Sequence, residues 1–381
     1  MKKLLKISIL SVSLLTIMAS AAIAPALQTI QNHFSDVPAV KIQMILTLPA
    51  IFIIPVTLIT GRLVFYIRKK TLLIVGVILY LIGGLGAGLV NTITMLLVLR
   101  SIMGLGVGLI LPLATGLIAD FYHGEERSQM MGYATAFNNL GGIIATVFAG
   151  ILSVISWRHP FLVYLLGVYV LFMVIFVVPN QEVEVKTNIK SEVNKYVWML
   201  GFANFYLLQI FFSIPASLSS FVEAKGFGSG LESGLLIALV TLGSFMFGVL
   251  FHRVRTILKG MTAITGLLFI TIGVYLVAIS PSIVFMGAAL LLVGFGLGIT
   301  APLIYLHTSL QAKTKDVTLA LALVSSFSFL GQFTSPVLVV FLRDIFDLTN
   351  ANSPFVITSV IGVVGVVGLL INRKIQIYNL Q

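Results

Sequence analysis

Twelve apolar runs, each long enough to cross a bilayer, constrain this chain more than any other feature. A helix needs about 20 apolar residues to span roughly 30 Å of hydrocarbon. The first six runs fall between Ile7–Leu27 and Phe161–Val178, the second six between Val197–Leu218 and Phe355–Ile371. None alternates apolar and polar residues as barrel strands do. Only 9% of the residues are charged, against about a quarter in soluble domains. The chain is therefore expected to be an all-α membrane protein of twelve transmembrane helices.

The opening stretch, MKKLLKISILSVSLLTIMASAAIA, also has the basic start, apolar run and small-residue end of a secretory signal. It is read as an uncleaved first span, because removal would leave the seventh run without its partner 190 residues earlier. The formal charge of +11 does not point to nucleic acid. With the N-terminus in the cytoplasm, 18 of the 23 Lys and Arg fall in cytoplasmic segments, the positive-inside bias of a multi-pass protein of the cell membrane. Both termini are then cytoplasmic. Cysteine is absent, which excludes disulfides and thiolate metal ligands.

The second constraint is repetition. GLGVGLILP, Gly104–Pro112, returns as GFGLGITAP, Gly294–Pro302, at an offset of 190. Leu140-Gly141 returns as Leu330-Gly331 at the same offset, and Gly61-x-Leu63 with Arg68 matches Gly248-x-Leu250 with Arg255 at 187. The most polar stretch, Pro179–Lys195, separates the two sets of runs. The expected organisation is a bundle over 1–178, a cytoplasmic linker over 179–195 and a second bundle over 196–381. Six spans per half make the halves parallel repeats. Glycine costs a helix about 1 kcal/mol and proline about 3, so both need a reason. Gly104, Gly108 and Pro112 share a helical face, as do Gly294, Gly298 and Pro302. Small residues there let helix backbones approach closely, while the prolines permit bending.

The chemistry-bearing residues are few. There is no Gly-Lys dipeptide and hence no P-loop, and the five histidines lack metal-ligand spacing. Neither an enzyme nor a resident cofactor or metal is expected. Arg100 is the one charge within a span. At such a position it faces a cavity or partner, or snorkels to the outer surface. None of the twelve acidic residues lies deep in a span; Asp120 sits at the end of the fourth. Gln28, Asn138, Asn139, Gln209 and Gln332 place amides in apolar segments, and Phe202, Tyr206 and Phe212 share a face with Gln209. Amides in hydrocarbon require hydrogen-bond partners, from neighbouring helices or from a ligand.

These features together resemble the major facilitator superfamily of secondary transporters. The loop TGRLVFYIRKK resembles the family's G-x-L-x-D-R-x-G-R-K loop, with Phe65 at the usual acidic position. LRSIMGLGVG resembles the exporter pattern R-x-x-Q-G, with Arg100 and Gly104 matching and Met103 replacing glutamine. GGIIATVFAG resembles G-x-x-x-G-P-x-x-G-G, with Ala145-Thr146 in place of Gly-Pro, and SWRHPF also resembles the proton-coupled exporters. The resemblance implies two six-helix bundles around a central cavity lined by spans one, four, seven and ten, which favours Gln28, Tyr206 and Gln209 as pocket residues. It implies proton-coupled efflux of amphipathic organic compounds by a monomer, with Arg100 and Asp120 in coupling and gating. Asp120 is expected to meet Arg62 or Arg127. The alternatives are uptake or exchange of a small organic anion paired by Arg100, and a non-transporting sensor or scaffold.

Overall fold

The computed structural model describes residues 2–64, 66–122, 124–180, 194–312 and 317–371, without the side chains of a few helical positions, Arg127 among them. Most of the expected linker lies outside the described residues. The chain divides into two compact units, Met1–Lys190 and Ser191–Gln381. Among the described residues the secondary structure is helical throughout.

The first unit holds α1 (Lys2–Ala21), the short α2 (Leu27–His33), α3 (Ala39–Leu63), α4 (Lys69–Leu85), α5 (Ile93–Phe121), α6 (Gly124–Ile155) and α7 (Leu166–Val177). The second holds α8 (Lys195–Ala224), α9 (Gly230–Leu258), α10 (Thr262–Ala278), α11 (Ile283–Gln311), α12 (Val317–Ile345) and α13 (Ser353–Ile371). Local chemistry sets several of their starts. The Thr92 hydroxyl accepts from Met95 N–H at 3.3 Å to begin α5, and Ser282 does the same for Phe285 N–H at α11. Ser229 and Glu232 form a reciprocal capping box at α9.

Eleven helical stretches among the described residues are long and apolar enough to cross a membrane. One of them, Gly230–Ala278, runs for 49 residues. A straight helix of that length would measure about 74 Å, more than twice the hydrocarbon thickness. It breaks at Lys259, whose φ of 47° lies in the left-handed region, into α9 and α10. Taken separately, these give twelve passes. The segment that reads like a secretory signal is α1, a packed helix of the first unit with Ile9, Val12 and Leu15 fully buried.

Each unit packs the same helix pairs. α5 lies against α3 and α4, α1 against α6, and α4 against α7; α11 lies against α9 and α10, α8 against α12, and α10 against α13. The glycines explain how closely. A methyl on Gly108 would sit 2.7 Å from Val56 Cβ, and one on Gly298 would sit 2.5 Å from Ser244 O. Neither position has room for a side chain, so small residues there are a condition of packing. The contacts also correct one expected register. Gly104 and Gly108 face Pro49, Ile53 and Val56, whereas Gly294 and Gly298 face Val240, Ser244 and Phe247, an offset of 191 between α3 and α9. The sequence match at 187 was one helical turn short, which keeps the face and shifts the level. Gly61 therefore corresponds to His252, and a methyl on Gly61 would meet nothing within 4 Å. Gly61 closes no helix contact.

Candidate functional site

In two helices of the first unit the backbone hydrogen-bond ladder is interrupted, and each interruption frees a carbonyl. In α3, Pro49 has no N–H to offer Ile45 O, its partner four residues earlier. At the end of α1 the chain tightens into a 3₁₀ turn, and Ile23 N–H turns to Ser20 O at 3.1 Å instead of to Ala19 O. A buried carbonyl without a donor costs about 1–3 kcal/mol.

Arg100 meets both. Its Nε donates to Ile45 O at 2.8 Å and its Nη2 to Ala19 O at 2.5 Å. Nη1 donates to the Tyr164 hydroxyl and to Met103 Sδ, each at 2.8 Å. Tyr164 in turn donates to Ala19 O at 2.9 Å. Arg100 is 0% exposed, so the snorkelling alternative is excluded. The planar fork binds three helices at once, as a lysine point charge would not. Among the described residues, carbonyl dipoles and not a carboxylate face its charge. Tyr80 packs edge-on against Tyr164 with ring centroids 5.6 Å apart, and its buried hydroxyl has no hydrogen-bond partner among the described residues.

A different arrangement stands at the other end of α5. Asp120 forms an ion pair with Lys69 Nζ at 2.5 Å, both side chains being about a quarter exposed. Among the described residues this replaces the expected partner Arg62; the Arg127 side chain lies outside the description. Lys69 opens α4 and Asp120 closes α5, the helix ends that the dipoles disfavour for each charge. Each therefore compensates its partner, not its own helix. The proline bend between the two sites is satisfied as well: Pro112 frees Gly108 O, which lies 3.4 Å from both Thr57 Oγ1 and Thr60 Oγ1.

The expected pocket residues are divided between the units. In the first, Gln28 donates to Asn32 Oδ1 at 2.9 Å, Asn138 Oδ1 accepts from Thr16 at 3.0 Å, and Asn139 is half-buried. In the second, Gln209 is buried, and its Oε1 accepts from Thr334 at 2.7 Å. Gln332 is also buried. Tyr206 donates to Ile361 O. Phe202 is exposed against Phe327, and Phe212 is half-buried against Phe211.

Four participants were not singled out in the sequence. Ile45 carries a legible signal, a proline four residues on. Tyr164 and Ala19 have none, being brought to Arg100 from 64 and 81 residues away. Asn204 is fully buried and donates to Val324 O at 3.1 Å and to Ser328 Oγ, a role that its aromatic neighbours in sequence concealed.

Comparison with known proteins gives this pair of helical units a family. Residues 9–336 match the family model of the Major Facilitator Superfamily. The chain belongs to that family; it is a multi-pass membrane transporter and not an enzyme. It is similar to the Quinolone resistance protein NorA of Staphylococcus aureus (strain MSSA476), 24% identical over 329 residues, 82% of each chain. It is also similar to Multidrug resistance protein 3 of Bacillus subtilis (strain 168), 31% identical over 117 residues, 30% of this chain and 23% of the relative. Among solved structures, the nucleoside transporter NupG aligns with a TM-score of 0.77 at 11% identity, covering 96% of this chain and 98% of that one. The D-xylose-proton symporter aligns with a TM-score of 0.74 at 14% identity, covering 96% of each. At these identities the structures establish the fold.

Proposed function

We propose that this transporter exports small amphipathic organic compounds by alternating access, driven by protons flowing inward. The observation that carries the reading is the alignment over 82% of both chains with a quinolone resistance protein. The chemistry of the spans supports it. The candidate pocket side chains are neutral amides and aromatics, which suit amphipathic compounds better than sugars or phosphorylated metabolites. The charge bias supports cytoplasmic termini and a cytoplasmic linker at 179–195.

Within this reading Arg100 keeps α1, α3 and α5 moving as one piece, and the Lys69–Asp120 pair closes the basic end of the first unit in one state. Uptake of an organic anion is the weaker reading, because the Arg100 guanidinium is already engaged by two carbonyls and a hydroxyl. A membrane potential supplies about 2.3 kcal/mol per charge per 100 mV, enough to concentrate a neutral substrate tens-fold per proton. The test is efflux of norfloxacin, a fluorescent quinolone, from proteoliposomes under an imposed proton gradient. Efflux that stops when the gradient is collapsed is expected. Flow unaffected by collapse would replace this reading with exchange.

A further inference from the structure

A cluster of aromatic and basic side chains stands at the opposite end of the first unit from the Lys69–Asp120 pair. It gathers on a weak point of the first pass. α1 ends at Ala21, a 3₁₀ turn follows at Ala24–Ala26, and α2 adds only the seven residues Leu27–His33. A helix this short is held by packing more than by its own hydrogen bonds. Leu27 and Ile30 bury its inner face, and its last residue, His33, is exposed.

The His33 ring stacks on the Trp157 indole, with centroids 4.9 Å and planes 26° apart. Phe34 meets the same indole at 5.3 Å, and the Arg158 guanidinium lies over it at 4.2 Å. Arg158 in turn donates from Nη2 to Asn91 Oδ1 at 2.5 Å. Trp157 and Arg158 thereby join three turns, 34–38, 89–92 and 156–158, which follow α2, α4 and α6. Trp157 is 5% exposed, yet its Nε1–H has no hydrogen-bond partner among the described residues. Ring contacts hold it. At the offset of 190, Glu223 and Asp347 stand where His33 and Trp157 do, so the second unit has acids at both places.

We propose that His33 on Trp157 is a pH-sensitive latch, which fastens α2 across these turns when the exterior is acidic. The inference goes beyond the exporter reading and shares only its topology, which puts the three turns outside the cell. Histidine changes charge between about pH 5 and 8. A neutral imidazole stacks on the indole mainly through dispersion, whereas an imidazolium adds attraction to the negative face of the ring. Few other charges surround His33. α2 has none, the 34–38 turn contributes Asp36, the start of α3 contributes Lys41, and the 156–159 stretch contributes Arg158 and His159. The 89–92 turn and the end of α6 carry none. Asp36 favours the imidazolium, while Lys41 and Arg158 oppose it, across water and salt that screen them. The indole contact is direct and decides the sign. Protonation tightens the latch, and loss of the proton loosens it.

The test uses the full chain. It has two tryptophans, so Trp198→Phe leaves Trp157 as the one indole, whose emission a stacked imidazolium quenches. Emission from the purified protein is expected to fall from about pH 8 to 5, and to stay level once His33→Gln is added. Cysteine is absent, and Ile30→Cys places one on the buried face of α2. Its labelling by a membrane-impermeant thiol reagent on intact cells is compared with and without His33→Gln at each pH, which cancels the thiol's own titration. Labelling should be faster with His33→Gln, and the ratio should grow about two- to fivefold towards pH 5, the size of an exposed cation–π contact. Emission that responds to pH equally in His33→Gln, or a labelling ratio indifferent to pH, would overturn the latch. Labelling reached only from the cytoplasmic side would overturn the topology, and with it the exterior as the source of the proton. Neither measurement uses a substrate or a gradient, so the exporter reading stands or falls separately.

Discussion

The two units repeat one packing scheme and differ in charge. α4 approaches α5 through Gly76 and Gly106 just as α10 approaches α11 through Gly266 and Gly296, and Gly83 meets Leu99 and Met103 as Gly273 meets Ala289 and Val293. Every one of these pairs holds the offset of 190. Electrostatics breaks the symmetry. Arg100 has Leu290 as its counterpart, and Asp120 has Leu310. Conversely, Val64 and Leu117 become Arg255 and His307, at offsets of 191 and 190. Close backbone approach tolerates no side chain and so keeps both copies alike, whereas a buried charge is costly and persists only where it has work to do. The departures from symmetry are therefore the positions to test for function.

Making the units alike at the arginine should have the largest effect. Arg100→Leu copies the second unit and leaves Ile45 O without a donor, while Ala19 O keeps only Tyr164. Norfloxacin efflux should be abolished, with stability falling by about 2–4 kcal/mol, in the range for a broken buried network. Arg100→Ala should also reach the membrane without transporting. Arg100→Lys should keep part of the activity, because a charge remains but the fork is lost. Thermal unfolding of purified protein alongside efflux separates the two effects. Wild-type efflux by Arg100→Ala would remove this residue from the mechanism.

The symmetric half of the comparison is broken at the glycines. Gly108→Val and Gly298→Val should destabilise to similar extents, about 1–3 kcal/mol each, the usual range for overpacking. Gly61→Ala should change stability by less than about 0.5 kcal/mol, since a methyl there meets open space. Unequal thermal shifts for the first two variants would mean that the repeated motif does not do the same packing in both units.

The sequence carried the spans, the repeat and the buried arginine because each is written in consecutive residues: apolar runs, glycine spacing, a lone charge. It misjudged what depends on level along a helix. The match at Gly61 and Gly248 found the correct face one turn away, since a shift of four residues leaves periodicity intact. Arg100 was legible as a problem but not in its solution, which joins carbonyls of α1 and α3 with a phenol preceding α7. Carbonyls carry no side-chain signature, and only Pro49 hints that one is free. The amides of Asn138 and Gln209 were expected to bond to neighbouring helices or to a ligand, a choice that the sequence leaves open, and both accept from a threonine of a neighbouring helix, Thr16 and Thr334.

The smallest effect belongs to the ion pair between α4 and α5. Lys69 and Asp120 are partly exposed, and such pairs contribute about 0–1 kcal/mol. That is too little to hold a fold but enough to shift a two-state equilibrium up to about fivefold. Each charge opposes its own helix dipole, so breaking the pair leaves the survivor at a disfavoured helix end. Asp120→Asn should therefore leave the melting temperature nearly unchanged while opening the basic end of the first unit. Lys69→Gln should do the same, and the double variant should add little, because both remove one interaction. The chain has no cysteine, so a single cysteine introduced at Thr115 reports the opening as its rate of labelling. An unchanged rate in both single variants would strip the pair of any part in gating and leave Arg100 and its two carbonyls as the functional asymmetry of α5.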